Sequence, residues 1–147
     1  AMPLWTYFQS VLRWAMDTFN MKKFKKIMKG LDWAKFYDEY HEKVLDIKAM
    51  EKQIIDLIGD DEIQKQQGII PYVLTGDEHY LDLRAFPDKI KLAVWEKQNH
   101  KCAICGKEFD YQFMEGDHIS PWRDGGRTEV KNCQMLCRDC NRRKGSK

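Results

Sequence analysis

Two C-x-x-C pairs constrain this sequence more than any other feature. The chain contains five cysteines, and four of them form the pairs: Cys102, Cys105, Cys137 and Cys140. Pairs of this kind supply four thiolates to one tetrahedral zinc ion, and such a shell leaves no position for water or substrate. We therefore expect structural zinc. Disulfides or free thiols are the alternative, but paired spacing with Cys133 left over favours a metal site in a reducing cytoplasm.

The segment between and after these pairs carries further chemical groups. An acid, a histidine and an isoleucine stand together in Asp117-His118-Ile119, and Pro121, Gly125-Gly126 and Asn132 follow in order. Asn141 and Lys144 come directly after the second pair. We predict one strand over residues 114–119, a second over 133–136 and a helix over 138–144.

This order of residues resembles the HNH (ββα-metal) endonuclease family in its four-cysteine zinc form. The resemblance covers roughly the last third of the chain. The whole chain also resembles the C-terminal part of larger bacterial restriction-type nucleases that carry a ParB-like N-terminal domain. These resemblances imply that DNA is the partner and that a recognition domain lies outside this chain.

The resemblance implies hydrolysis of phosphodiester bonds and assigns catalytic roles to four residues. His118 would be the general base, because imidazole accepts a proton near neutral pH. Asp117 and Asn141 would hold the catalytic Mg²⁺ or Mn²⁺ through oxygen atoms. Asn132 would hold the loop by hydrogen bonds. Glu115, two residues before Asp117, faces the same side of an extended strand. It either tunes the site, is solvated or binds the metal directly.

One geometric condition applies to the acid and the base. Neighbours on a regular strand face opposite sides, so Asp117 and His118 share a site only where the strand ends or bulges at His118. On the helix, Asn141 and Lys144 lie three residues apart and share a face.

Basic residues are concentrated near the end of the chain. On a bare surface they would be solvated charges, but beside a phosphodiesterase motif they predict contacts with the DNA backbone. The predicted DNA-binding residues are Arg127, Arg138, Arg142, Arg143 and Lys144.

Residues 1–68 predict a helical region. Apolar residues spaced along 3–20 predict a helix whose stripe is either core or an interface with an upstream domain. The stripe consists of Trp5, Phe8, Leu12, Ala15, Met16 and Phe19. Lysines crowd residues 21–30, either as a solvated face or as a contact with the DNA backbone. Residues 31–58 predict one long helix or two with a bend, capped by Asp32.

Residues 69–100 are expected to form a connecting segment. Its first part is either a hairpin about residues 75–78 or a helix over 70–75, and Asp88 is expected to cap a helix ending near Gln98. Residues 101–147 are the predicted HNH domain. The expected fold is α+β and mainly helical, with a helical N-terminal region followed by a ββα-metal module clipped together by zinc.

Composition adds little about partners. The net charge of +2 is too small to indicate a nucleic-acid partner by itself. No apolar run has the length of a membrane span and no signal peptide is visible, so we expect a cytoplasmic protein without a membrane partner. The resemblance implies that it is bacterial.

The function expected from these features is that of a DNA endonuclease or nickase, as the cleavage part of a restriction or anti-phage system. The alternative is a catalytically inactive zinc-stabilised module that binds nucleic acid or another protein. The sequence leaves open the DNA specificity, the number of strands cut and the oligomeric state.

Overall fold

A computed structural model describes residues 3–145. Within them lie seven α-helices and one two-stranded antiparallel sheet, which confirms the expected α+β, mainly helical class. No helix in this part of the chain is long and apolar enough to cross a bilayer. The elements in order are α1 Leu4–Thr18, α2 Met21–Met28, α3 Trp33–Tyr40, α4 Ile47–Ile58, α5 Ile69–Thr75, α6 Asp88–Lys97, β1 Met114–His118, β2 Cys133–Cys137 and α7 Arg138–Gly145.

The chain divides into two compact units. The first, Ala1–Leu83, contains α1 to α5 and is called the helical unit below. The second, Arg84–Lys147, contains α6, the sheet and α7 and is called the C-terminal unit. The domain boundaries expected at residues 68 and 100 stay predictions.

Polar side chains set the starts of three helices in the helical unit. Asn20 caps α2 by accepting bonds from the Lys22 and Lys23 amides. Asp32 caps α3, as predicted, and Asp46 caps α4. Each carboxylate or amide oxygen satisfies a backbone N–H that has no partner inside its helix.

The buried face of α1 differs from the predicted one. The helix itself is confirmed, and two residues of the predicted stripe, Ala15 and Phe19, are buried. The other four, Trp5, Phe8, Leu12 and Met16, are exposed by 42% to 68%. The residues that α1 buries are Val11, Ala15 and Thr18. α1 therefore has a second, exposed apolar stripe, and the interpretation of that stripe as an interface with an upstream domain stays a prediction.

In the middle of the chain the structure decides between the predicted alternatives. Residues 31–58 form two helices and not one long one, and a six-residue connection that contains the fully exposed Val44 separates them. The hairpin about residues 75–78 is wrong and the alternative helix is confirmed, because Ile69–Thr75 is helical and Gly76 ends that helix in a left-handed conformation. A lone bridge joins Ile63 to Leu83.

The secondary structure predicted for the C-terminal unit is confirmed. β1 pairs with β2 in antiparallel register, so that Asp117 lies opposite Gln134 and His118 lies opposite Cys133. α7 follows β2 without a break. The helix before them begins at Asp88, but its N-cap is Pro87, which offers no side-chain bond. Asp88 instead accepts a hydrogen bond from Tyr111 Oη.

Candidate metal centre and catalytic site

The structure brings the four paired cysteines together. Their sulfur atoms all lie within 4.8 Å of one another, and Cys105 Sγ is 4.0 Å from Cys137 Sγ. A tetrahedral zinc ion with Zn–S bonds of about 2.3 Å sets its ligand sulfurs at nearly this separation. None of the five cysteines forms a disulfide. The four-cysteine cluster therefore fits zinc both in geometry and in the chemistry of its donors.

The protein environment favours thiolates in part of the cluster. Burial raises the pKa of Cys102, but hydrogen bonds from backbone N–H groups outweigh it and bring that pKa to about 6. Burial and hydrogen bonds with neighbouring sulfurs raise the pKa of Cys140 to about 11. Four thiolates at this distance repel one another, so a bound cation is what allows all four to be deprotonated together.

The cluster is attached to the core of the C-terminal unit. Cys102, Cys137 and Cys140 are buried in the same apolar cluster as Phe86, Val94 and Met135, whereas Cys105 is exposed. Gln98 links α6 to β2, since its side chain accepts from the Met135 amide and donates to the Met135 carbonyl, both at 2.9 Å.

Cys133 lies apart from the metal centre. It is buried on β2, and burial followed by the charge of Asp117 raises the pKa of its thiol to about 11. It therefore stays protonated near neutral pH and behaves as a small apolar side chain.

A row of acids on β1 faces a row of donors on α7. Glu115 and Asp117 stand two residues apart on the strand and share a face. Asn141 Nδ2 donates to Glu115 Oε1 at 2.9 Å, and Lys144 Nζ donates to Asp117 Oδ2. Gln134, the register partner of Asp117, donates to the same oxygen at 2.9 Å.

This arrangement brings Asp117 and Asn141 to the same side of the sheet. Both side chains already have hydrogen-bond partners in the protein. Lys144 Nζ also donates to the His118 carbonyl at 3.1 Å, which fixes the ammonium group over the end of β1. An ammonium at Asp117 shows that this place stabilises positive charge. A carboxylate and an amide oxygen are the donors that Mg²⁺ prefers, so the residues present fit such an ion.

His118 contacts a different set of groups from Asp117. Its ring packs on the Phe86 ring with centroids 4.1 Å apart, and its Nε2 lies 3.0 Å from Thr128 Oγ1. A Cβ on Gly116 would meet Phe86 and Lys91 on this same face. β1 keeps its pairing through His118, which is its last residue. The side chains of Asp117 and His118 thus project from opposite faces of β1, at the end of the strand.

Asn132 ties down the loop that follows β1. It is buried, with 8% exposure. Its Oδ1 accepts from the Ser120 amide at 2.8 Å, and its Nδ2 donates to the carbonyls of Ser120 and Arg127. Gly126 lies beneath this network, where a Cβ would come 1.7 Å from the Ser120 carbonyl oxygen.

Replacing Asn132 with Ala is expected to destabilise the C-terminal unit by about 2–4 kcal/mol, because buried backbone groups lose their partners. Thermal denaturation measures the effect. The control is Asn141→Ala, which removes one bond to exposed Glu115 and should change the unfolding free energy by less than about 0.5 kcal/mol. Equal losses in both variants would contradict a loop-holding role for Asn132.

The predicted DNA-binding residues have distinct surroundings. Arg138 is exposed and lies over the Phe113 ring, and Arg142 lines a small open cleft with Asp139 and Arg143. Arg143 Nη2 also donates to Cys140 Sγ at 3.5 Å, on the side of the metal centre. Arg127 is exposed beside the Asn132 loop. Lys144 contacts Asp117 rather than standing free beside it.

Sequence reasoning missed several partners in this site. The contact of Gln134 with Asp117 could be predicted from the strand register once the pairing of β1 with β2 is known. Phe86 and Thr128 approach His118 from outside β1, and no local pattern in the sequence indicates either contact.

Comparison with known proteins agrees with this site. The family model described as HNH endonuclease matches residues 102–147. No curated protein and no solved structure matches the chain. The end of the chain is thus an HNH module with a four-cysteine cluster compatible with zinc. Such a module indicates nuclease-type activity, which in turn implies a nucleic-acid substrate.

Proposed function

We propose that the chain is a metal-dependent DNA endonuclease or nickase. The observation that carries this proposal is the facing pair of rows, acids on β1 and an amide and an ammonium on α7, inside a module of the HNH type. The four-cysteine cluster supports it, because Cys137 ends β2 and Cys140 lies in the first turn of α7. Zinc there would tie the loop of Cys102 and Cys105, which precedes β1, to the junction of β2 and α7.

In this proposal Asp117 and Asn141 hold Mg²⁺ or Mn²⁺, and the four cysteines hold Zn²⁺ in a structural role. When bound, the divalent ion at Asp117 supplies positive charge beside the scissile phosphate and the departing oxygen. Lys144 would leave Asp117 and contact a phosphate oxygen, since both groups are anions within reach of the same ammonium.

His118 takes the role of general base. Thr128 Oγ1 donates to the Arg84 carbonyl at 3.4 Å, so its shorter contact with His118 Nε2 is one in which the imidazole donates. In that tautomer Nδ1 is the unprotonated ring nitrogen, and it is the atom at which we propose that the base takes the proton. Because His118 ends β1, a phosphate lying beyond the strand end can be approached by both His118 and Asp117.

DNA is the nucleic acid that we propose as substrate, with the exposed Arg127, Arg138 and Arg142 contacting its backbone. Arg143 and Lys144 complete the predicted set. The resemblance to larger restriction-type nucleases supports a setting in anti-phage defence, with sequence or modification recognition in a ParB-like domain outside this chain. Phosphate contacts position a duplex without reading its bases, which fits that division.

A second function has one observation in its favour. Lys144 and Gln134 both bond Asp117, and His118 is packed on Phe86 and Thr128. A module with its acid and imidazole so engaged could be a zinc-stabilised binding module without activity. A cleavage assay separates the two functions.

Incubation with supercoiled plasmid is expected to give nicked or linear DNA with Mg²⁺ or Mn²⁺ and none with EDTA. Asp117→Ala should lower the rate by about 100-fold or more, because a positioned ion contributes several kcal/mol to stabilising the transition state. Asp124→Ala, which removes an exposed acid from the following loop, is the matched control and should leave the rate unchanged. Absence of cleavage with every divalent ion would favour the inactive binding module.

A further inference from the structure

The helical unit carries a row of lysines that the proposed catalytic site does not use. Lys22, Lys25 and Lys26 lie on α2 and Lys29 is its C-cap; they occupy positions i, i+3, i+4 and i+7, and all are exposed. Residues at these spacings share one face, and the row extends over about 10 Å at 1.5 Å per residue. The opposite face of α2 buries Phe24 in the core.

This row borders a cleft. Lys22, Lys25 and Lys26 line a cavity of about 670 Å³ together with the apolar side chain of Ile27 and the amide of Gln66. No acidic residue is among its lining residues. A smaller cleft of about 250 Å³ shares Gln67 with the first and adds Lys29, Lys35 and Lys65. The positive charge thus continues from one cleft into the next.

Acidic residues in the described part of the chain do not neutralise the charges of this row. Across residues 3–145, no ion pair involves Lys22, Lys25 or Lys26, whereas the neighbouring Lys23 pairs with Glu51 at 2.5 Å. The one acid in the smaller cleft, Asp32, accepts from the Lys35 amide as a helix cap. Neighbouring cations repel one another, so binding of an anionic ligand would reduce this electrostatic repulsion.

We propose that the α2 lysine row is a second nucleic-acid interface, which binds the phosphate backbone of the DNA independently of the HNH module. Lysine ammonium groups contact phosphates as point charges, and the Gln66 and Gln67 amides add donors of the kind that bond phosphate oxygens. The proposal uses the nucleic-acid substrate that the module implies but no catalytic step.

The extent of the row favours a polymer over a small anion. One phosphate group would occupy two or three of these lysines, whereas the row continues past Lys29 into the second cleft. Duplex DNA carries one charge per about 1.7 Å of its axis, so a row about 10 Å long meets several phosphates at once. The interface therefore adds affinity that does not depend on base sequence.

The test measures binding of the full chain to a short fluorescein-labelled duplex in EDTA, so that no cleavage occurs, across about 50–200 mM salt. The variant Lys22→Gln, Lys25→Gln, Lys26→Gln should bind about tenfold or more weakly at low salt. The slope of log affinity against log salt should fall by about 2 to 3, at about 0.9 per lost contact. The matched control, Lys43→Gln, Lys48→Gln, Lys52→Gln, removes the same charge elsewhere in the helical unit and should bind within about twofold of wild type.

Equal affinities for the two triple variants would overturn the proposal. So would displacement of the duplex by a nucleoside monophosphate at constant ionic strength, which would make the cleft a small-anion site. Plasmid cleavage is scored separately. If binding depends on the lysines but no cleavage occurs, the α2 interface is supported and the proposed nuclease activity is overturned. If cleavage occurs but binding does not depend on the lysines, the nuclease activity is supported and the α2 interface is overturned.

Discussion

Replacing Cys105 with Ser is expected to unfold the C-terminal unit and release the zinc that we propose for the four-cysteine cluster. Binding of structural zinc contributes about 10–16 kcal/mol in zinc-finger peptides, while whole domains are stable by only about 5–15 kcal/mol. Loss of one thiolate ligand therefore removes most of the stability of so small a unit. Metal analysis should find one zinc per wild-type chain and little in the variant. Circular dichroism should show lost structure.

Cys105 suits this test because it is the exposed member of the cluster. Its replacement opens no cavity in the core, so any unfolding reports the metal and not the packing. Cys133→Ala is the matched control, because it removes a buried thiol outside the cluster and should keep zinc at a cost of about 1–2 kcal/mol. A Cys105→Ser variant that stays folded without metal would contradict a structural zinc site.

Replacing His118 with Ala is expected to lower the cleavage rate by about 10²–10⁴-fold, the usual contribution of general acid–base catalysis. Zinc content should not change, because His118 contacts Phe86 and Thr128 and not the cluster. His79→Ala is the matched histidine control, since His79 is exposed in the helical unit. Plasmid nicking under single-turnover conditions measures both rates. Unchanged cleavage by His118→Ala would remove the assignment of the base.

The elements of the HNH module were predictable because their determinants are local. The second cysteine pair lies where β2 ends and α7 begins, and Asp117 to Asn141 spans a strand, a loop, a strand and a helix whose order is fixed by sequence. α1 was predictable as a helix but not in its orientation. It has two apolar stripes, and only tertiary packing decides that Val11 and Ala15 face inward while Trp5 and Phe8 face out.

The segment at residues 69–75 shows a second limit of sequence. Ile, Val, Tyr and Thr favour strands, yet seven residues are too few for periodicity to decide between strand and helix. Burial of Ile69 and Ile70 decides for the helix here. The contacts of His118 show a third limit, because Phe86 reaches the imidazole from before the first cysteine pair.

The bond between Lys144 and Asp117 has a consequence for the order in which ligands arrive. In the proposed site, a Mg²⁺ ion would have to compete with this ammonium for the carboxylate and would bind with reduced apparent affinity. A phosphodiester would offer Lys144 another anion and so release the carboxylate. The resting protein would then be a weak magnesium binder, and loading of the ion would follow engagement of the nucleic acid.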